Sequence, residues 1–348
     1  MNKKKLNKEK LLIAFDKNRI FVIFGFVVIF MFLFAPRFGT AYNLTTIMRT
    51  MAMNATAAIG FTMILIIGQL DLSIGTIITF AGVVGLGLKQ YIGYGGSVPV
   101  AIASGCIIGL INGLLVAKAK ISSFIVTLGM LTFLTGAVYT ITGGNSISLS
   151  TPDAFAVSDW LANQLIPMFT PRVIITIVMV VLFAVFLNYT RKGRNFYMVG
   201  GNVQTAWLAG INTDRYTIIT FVISGFTAAV GGVLFAMENA AATLNLGETS
   251  LMYVISAVII GGTAMSGGKG GVIKSFFAIL ALDVLYNGII LFGLGNEVKI
   301  FIAGIILASV VLYEAYTAYR HDRVVGQRPE LMKEVEQLKL DQKARMKS

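Results

Sequence analysis

GRNFYMVGGNVQTAWLAGIN, Gly193–Asn212, is the stretch that decides how the rest of this chain reads. It is polar and punctuated by glycine. It lies between two apolar runs, near 172–189 and 216–237, each long enough to cross a bilayer. Inside it, Thr205 to Ala209 suit a short helix, entered at Asn202 as N-cap and closed at Gly210. The adjacent Gly200 and Gly201 mark a place where backbone approaches closely, and Gly201 is the expected point of contact. A short helix held at a membrane surface by two spans is a handle that a soluble partner can pull.

Composition supports a membrane protein. Of 348 residues, 56% are hydrophobic and 13% charged, against about 25% charged in soluble domains. Mean hydropathy is +0.80. Runs near 20 residues favour helices, because barrel strands need only about 10 alternating residues. Gly105, Gly109 and Gly113, at four-residue spacing, form a ridge for close helix packing. Ten apolar segments stand out, near 20–36, 47–68, 72–91, 98–117, 122–142, 172–189, 216–237, 250–262, 271–292 and 298–319. If all ten cross and the N-terminus is inside, only Arg37, Arg49, Lys89, Arg172 and Lys299 fall on or near the outer side, and the other Lys and Arg fall inside. The expected fold is thus an all-α polytopic bundle of about ten spans with both termini cytoplasmic. Residues 1–19 form a basic N-terminal tail lying against lipid headgroups. Residues 20–319 form the transmembrane permease domain with a surface loop at 190–215, and 320–348 a cytoplasmic tail. The first apolar run reads as an uncleaved span, since Phe34-Ala35-Pro36-Arg37 makes a poor cleavage site. In the tail, Leu331, Val335, Leu338 and Gln342 share one face of a helix after Pro329.

Several chemistries are excluded or disfavoured. The net charge of +12 sits in tails and alternate loops rather than in a soluble nucleic-acid-binding domain. The single Cys106 forbids an intrachain disulfide. The lone His321 leaves no His-cluster metal site and no Ser-His-Asp arrangement, so no catalytic residue, metal or cofactor is expected. The glycine-rich turn Gly261–Gly270 lacks the phosphate-loop pattern, because Lys269 is followed by Gly270. Polar residues that stand out in or beside apolar runs include Asp71 and Ser73 in Gln69-Leu70-Asp71-Leu72-Ser73-Ile74-Gly75, then Asn112, Asp283 and Asn287. They are candidates for a translocation path or gate. Asp71 also suits a structural cap at the start of a span. Asp283 reaches Lys274 only if its helix bends, so another span is the expected source of its partner. The loop from about Gly143 to Pro171 suits either a docking face for an extracytoplasmic partner or a cap over the bundle.

Taken in order, the motifs resemble bacterial ATP-binding-cassette (ABC) permeases of the ribose/xylose/galactose (monosaccharide) type. Gly193–Asn212 resembles G-R-x-x-Y-A-x-G-G-N-x-x-A-A-x-x-S-G-I-N. Gln69–Gly75 resembles G-G-I-D-L-S-V-G, with Gln69 at the second Gly. Gly109–Val116 resembles G-x-x-N-G-x-x-V, Ser123–Gly129 resembles P-x-F-I-V-T-L-G, and Val258–Gly270 resembles V-I-G-G-T-S-L-S-G-G-x-G. Two places depart from the pattern. Met252-Tyr253-Val254-Ile255-Ser256-Ala257 replaces E-L-D-A-I-A, and Asp283 stands where the family tends to have Gly.

The resemblance implies the permease subunit of an ATP-driven importer for a small sugar or sugar-like solute, in the bacterial inner (plasma) membrane. Its implied partners are a second permease copy or paralogue, a cytoplasmic ABC ATPase and an extracytoplasmic solute-binding protein. It also implies that Gly193, Arg194, Gly200, Gly201, Asn202, Ala206, Gly210 and Ile211 make the ATPase-coupling loop. The rival reading is an ion- or proton-coupled secondary transporter using Asp71 and Asp283.

Overall fold

The computed structural model describes residues 3–295, 297, 298, 301–306, 308, 309, 312 and 316, with side chains from residue 18 onward apart from 248. Met1–Ala303 form one compact unit and Gly304–Ser348 a second. The expected tail helix after Pro329 lies outside the described residues.

In chain order come α1 (Lys3–Phe34), α2 (Ala41–Ile66), α3 (Ile74–Gly87), α4 (Lys89–Ala117) and α5 (Ser123–Thr142). They are followed by β1 (Ile147–Ser148), α6 (Pro152–Ala162), α7 (Pro171–Tyr189), α8 (Arg191–Gly201), α9 (Val203–Leu208) and α10 (Thr213–Asn239). The last are β2 (Ala241–Ala242), α11 (Leu246–Ile260) and α12 (Val272–Leu291). β1 and β2 pair antiparallel, with Ile147 opposite Ala242. Local chemistry sets the helix starts. The side chains of Thr40, Thr170, Thr190, Asn202 and Asn212 each accept an N–H from the first turn that follows. Pro171 occupies the first turn of α7, where its missing donor costs nothing.

The centre of the bundle is α10, packed against α2, α3 and α4. The glycine ridge of α4 makes that packing possible. A Cβ at Gly105 would overlap the Gly225 carbonyl, and one at Gly109 the Phe221 carbonyl. Lipid offers little hydrophobic drive between helices, so such backbone-to-backbone contact is the main source of cohesion.

The all-α polytopic reading stands, but the span number is corrected. Among the described residues six helices are long and apolar enough to cross a membrane, not about ten: α2, α4, α5, α7, α10 and α12. Three of the expected spans fall outside these six. The run 72–91 loses its beginning to a non-helical break around Asp71, which leaves the 14-residue α3. The run 250–262 yields the 15-residue α11. The apolar part of α1 is confined to Asn18–Phe34. Half of the segment 298–319 lies outside the described residues. The allocation of loops and termini to two sides, which assumed ten crossings, no longer follows.

Candidate functional site

The loop at 190–215 is two helices rather than one. Residues 191–201, read from sequence as loop, form α8 because Thr190 caps it and Phe196 wedges it into the bundle. The Phe196 ring lies edge-on between Phe186 and Tyr216, at 6.0 and 4.8 Å. Asn195 donates to the Tyr216 hydroxyl at 2.8 Å, and Tyr197 donates to the Gly270 carbonyl at 3.2 Å. Burial pushes the Tyr197 hydroxyl up, which keeps it a donor. The short helix expected after Asn202 is α9: the Asn202 carbonyl oxygen accepts the Thr205 N–H at 2.8 Å, and Gly210 leaves the helix at φ +78°.

The close approach falls on Gly200 rather than Gly201. A Cβ at Gly200 would overlap the Ile66 carbonyl, while one at Gly201 meets open space. The same Ile66 oxygen accepts the Gly268 N–H at 2.8 Å. The glycine-rich turn is therefore a packing surface for α8. Gly193 and Ala206 are buried, Ile211 is half-buried, and Arg194, Asn202 and Gly210 are exposed. Sequence reading missed what α9 shows to its surroundings: Trp207 is 67% and Leu208 75% exposed, next to exposed Val203. The available signal was a Trp-Leu pair inside a polar loop.

Asp71, Ser73 and Asn112 come together. Asp71 is fully buried. One carboxylate oxygen accepts the Ser73 N–H at 3.0 Å and the Ser73 hydroxyl at 2.6 Å. The other accepts the Ser224 hydroxyl from α10 at 2.8 Å. Asn112 on α4 donates to Ser73 Oγ at 3.0 Å. Backbone in the break is satisfied from α5: Leu70 N–H donates to Ser123 Oγ and Leu72 N–H to Thr127 Oγ1, at 3.1 and 3.0 Å. Irregular backbone inside a bundle persists only when its polar groups are answered in this way. Ser224, Ser123 and Thr127 complete the site and were not singled out from sequence.

Asp283 and Asn287 do not join that network. Asp283 is buried on α12 and interacts with Tyr253 of the short α11, whose hydroxyl donates to the Ile279 carbonyl at 3.1 Å. Asn287 exchanges two hydrogen bonds with Asn43 of α2, at 2.9 and 2.8 Å. A further cluster went unread. Glu238 at the end of α10 is buried between Arg172 of α7, at 2.7 Å, and Arg49 of α2. This cluster sits at the end of the bundle opposite α8 and α9.

A family model described as "Branched-chain amino acid transport system / permease component" matches residues 43–311. Among curated proteins, the ribose import permease of Escherichia coli (strain K12) is 29% identical over 286 residues, 80% of this chain and 88% of that protein. The L-arabinose transport system permease of the same strain is 30% identical over 310 residues, 86% and 91% of the two chains. The ribose import permease of Bacillus subtilis (strain 168) is 30% identical over 323 residues, 90% and 98% of the two chains. No solved structure matches the chain. The family model and these relatives are transport permeases, which overturns the secondary-transporter reading. The chain belongs to the family of branched-chain amino acid transport system permease components, and is a multi-pass membrane permease subunit of an ABC importer.

Proposed function

We propose that this permease imports a small sugar of the pentose class, as the names of its ribose and arabinose relatives suggest, in complex with a second permease copy or paralogue, a cytoplasmic ABC ATPase and an extracytoplasmic solute-binding protein. The observation that carries the coupling role is α9. Trp207, Leu208 and Val203 form an exposed apolar knob on a six-residue helix, at an end of the bundle rich in Lys and Arg. Lys118, Lys120, Arg191, Lys192, Arg194, Arg215, Lys269 and Lys274 gather around that end, which favours the cytoplasmic side. The knob suits an apolar groove on the ATPase. Arg194, Gly201, Asn202 and Gly210 form its polar rim, and Gly193, Gly200, Ala206 and Ile211 hold it against the bundle. Motion of α9 passes through α8 to Ile66 at the end of α2, next to the Asp71 break. Asp71, Ser73 and Asn112 serve as the joint of that break, and Asp283 and Asn287 hold α12 to its neighbours. At the other end, α6 exposes Phe155 and Trp160, a fitting face for the solute-binding protein.

Reconstituted with its ATPase and binding protein, the permease should take up D-ribose or L-arabinose only with ATP. Trp207→Ala should leave insertion intact and weaken ATPase association at least about tenfold, as loss of a buried aromatic anchor does. Unchanged association would remove α9 from the interface.

A further inference from the structure

The outer face of α7 runs into the first turn of α8, apolar along its length and basic at its end. α7 has 19 residues, about 28 Å of helix, close to the ~30 Å depth of the hydrocarbon core. Val178, Val181, Leu182 and Val185 are exposed on it at three- and four-residue spacing, so they form one stripe that no described element covers. Tyr189, 80% exposed, ends the stripe where aromatic rings meet headgroups. The chain then turns at Thr190 and α8 packs tightly on the end of α7: a Cβ at Gly193 would overlap the Phe186 and Leu187 carbonyls. Arg191, Lys192 and Arg194, all exposed, are thereby held beside the end of the stripe.

These three charges are set against local electrostatics. They occupy the start of a helix, where the peptide dipoles favour anions over cations. Arg191 and Arg194 are three residues apart, so like charges are neighbours on the helix surface. No acidic residue occurs in 171–213, and none of the three cations has a carboxylate partner among the described residues. Other cations are answered within the chain: Lys118 and Lys120 by Asp214, Lys89 by Asp153, and Arg49 and Arg172 by Glu238. A bilayer supplies the missing anion at this depth. We propose that the α7–α8 elbow binds an anionic phospholipid, with its phosphate against Arg191, Lys192 and Arg194 and its acyl chains along the α7 stripe. The apolar stripe favours a lipid over a soluble acidic partner, which would leave that stripe unused. The guanidinium forks suit bidentate contact with phosphate. A lipid seated here offsets the repulsion at the start of α8, the helix that leads into α9. The inference needs only the membrane-spanning fold and is independent of the solute.

The test uses the full-length permease, purified in detergent, stripped of lipid and titrated with dioleoylphosphatidylglycerol or dioleoylphosphatidylcholine. Native mass spectrometry counts the bound molecules. Phosphatidylglycerol should bind at least about tenfold more tightly than phosphatidylcholine. Arg191→Gln/Lys192→Gln alters two exposed positions and spares Arg194, which also rims the α9 knob. It should weaken phosphatidylglycerol about 25-fold, about fivefold for each charge removed. Lys118→Gln/Lys120→Gln removes two cations already paired to Asp214 and should leave the affinity within about threefold. Equal losses in the two double variants, or equal affinity for the two lipids, would reduce the patch to nonspecific charge and overturn the proposal. A phosphatidylglycerol with a photoreactive group midway along its acyl chain then locates the tail. Labelling should concentrate on 178–185 of α7. Labelling spread evenly over the exposed apolar faces of α1, α4 and α7 would mean bulk lipid rather than a site, and would also overturn it. If Arg191→Gln/Lys192→Gln keeps its phosphatidylglycerol but loses association with the ATPase, the cations belong to a protein interface and the lipid assignment falls.

Discussion

At Asp71 three donors converge on one carboxylate, and none has another acceptor on its carboxylate side. Removing the acceptor strands buried groups at a cost of about 1–3 kcal/mol each. Asp71→Ala should therefore lower stability by about 3–5 kcal/mol. Asp71→Asn should stay within about 1.5 kcal/mol, because the amide accepts from Ser73 and donates to the Ser224 hydroxyl. Thermal unfolding in detergent compares the two, and equal losses would mean that the negative charge itself is needed. Gly200 and Gly201 make a second contrast. A methyl at Gly200 meets the Ile66 carbonyl, a backbone atom that cannot rotate away, whereas Gly201 faces open space. Gly200→Ala should abolish uptake through displacement of α8, and Gly201→Ala should transport normally. Uptake assays on equally expressed variants decide, and the reversed order would restore Gly201 as the contact.

Among elements, what was legible followed from local physics. The Asn202 cap, the Gly210 exit and the Gly105–Gly113 ridge are short-range patterns whose sterics act within a few residues, and each appears as read. The ridge supplies a test on α4. Gly109→Leu drives a side chain into the Phe221 backbone and should prevent stable insertion of the α4–α10 pair. Gly129→Leu, on α5 with nothing near its Cβ, should leave the protein folded. Size-exclusion profiles in detergent distinguish them. The breaks were illegible for the opposite reason. Leu70 and Leu72 extend the hydrophobic pattern straight through the non-helical segment. The groups that satisfy it, Ser123, Thr127 and Ser224, lie more than fifty residues away in sequence. Hydropathy along the chain registers composition, not which backbone groups find partners across space. Hence the segment 72–91, which looked like a whole span, is the short α3. The α8 helix was hidden by its glycines, because its stability comes from Thr190 and the Phe186–Phe196–Tyr216 stack rather than from propensity.

For the whole molecule, the two ends of the bundle are built differently. One carries α8 and α9, held to α2, α7, α10 and the glycine-rich turn by an aromatic wedge and close backbone contacts. The other is tied by charge. Glu238 is 1% and Arg172 3% exposed at the side chain, and Arg49 approaches from a more open position. The Ser158 hydroxyl of α6 also donates to the Glu238 carbonyl, so four helices meet at one residue. If the first end is the lever proposed above, the second has to hold, and a buried ion cluster holds with directional specificity. Its energetics are asymmetric. Desolvation offsets most of the attraction within an intact buried pair, but deleting one member leaves an uncompensated charge. Glu238→Ala should therefore cost about 3–5 kcal/mol by stranding Arg172. The double variant Glu238→Leu/Arg172→Met removes both buried charges and should recover most of that loss, leaving Arg49 to turn toward solvent. If the double variant is as unstable as Glu238→Ala, the cluster acts through packing of its side-chain volume instead. If both variants unfold at the temperature of the unaltered protein, the end opposite α9 is held by the helices alone, and the ion cluster is not the fixed point that the proposed coupling through α9 requires.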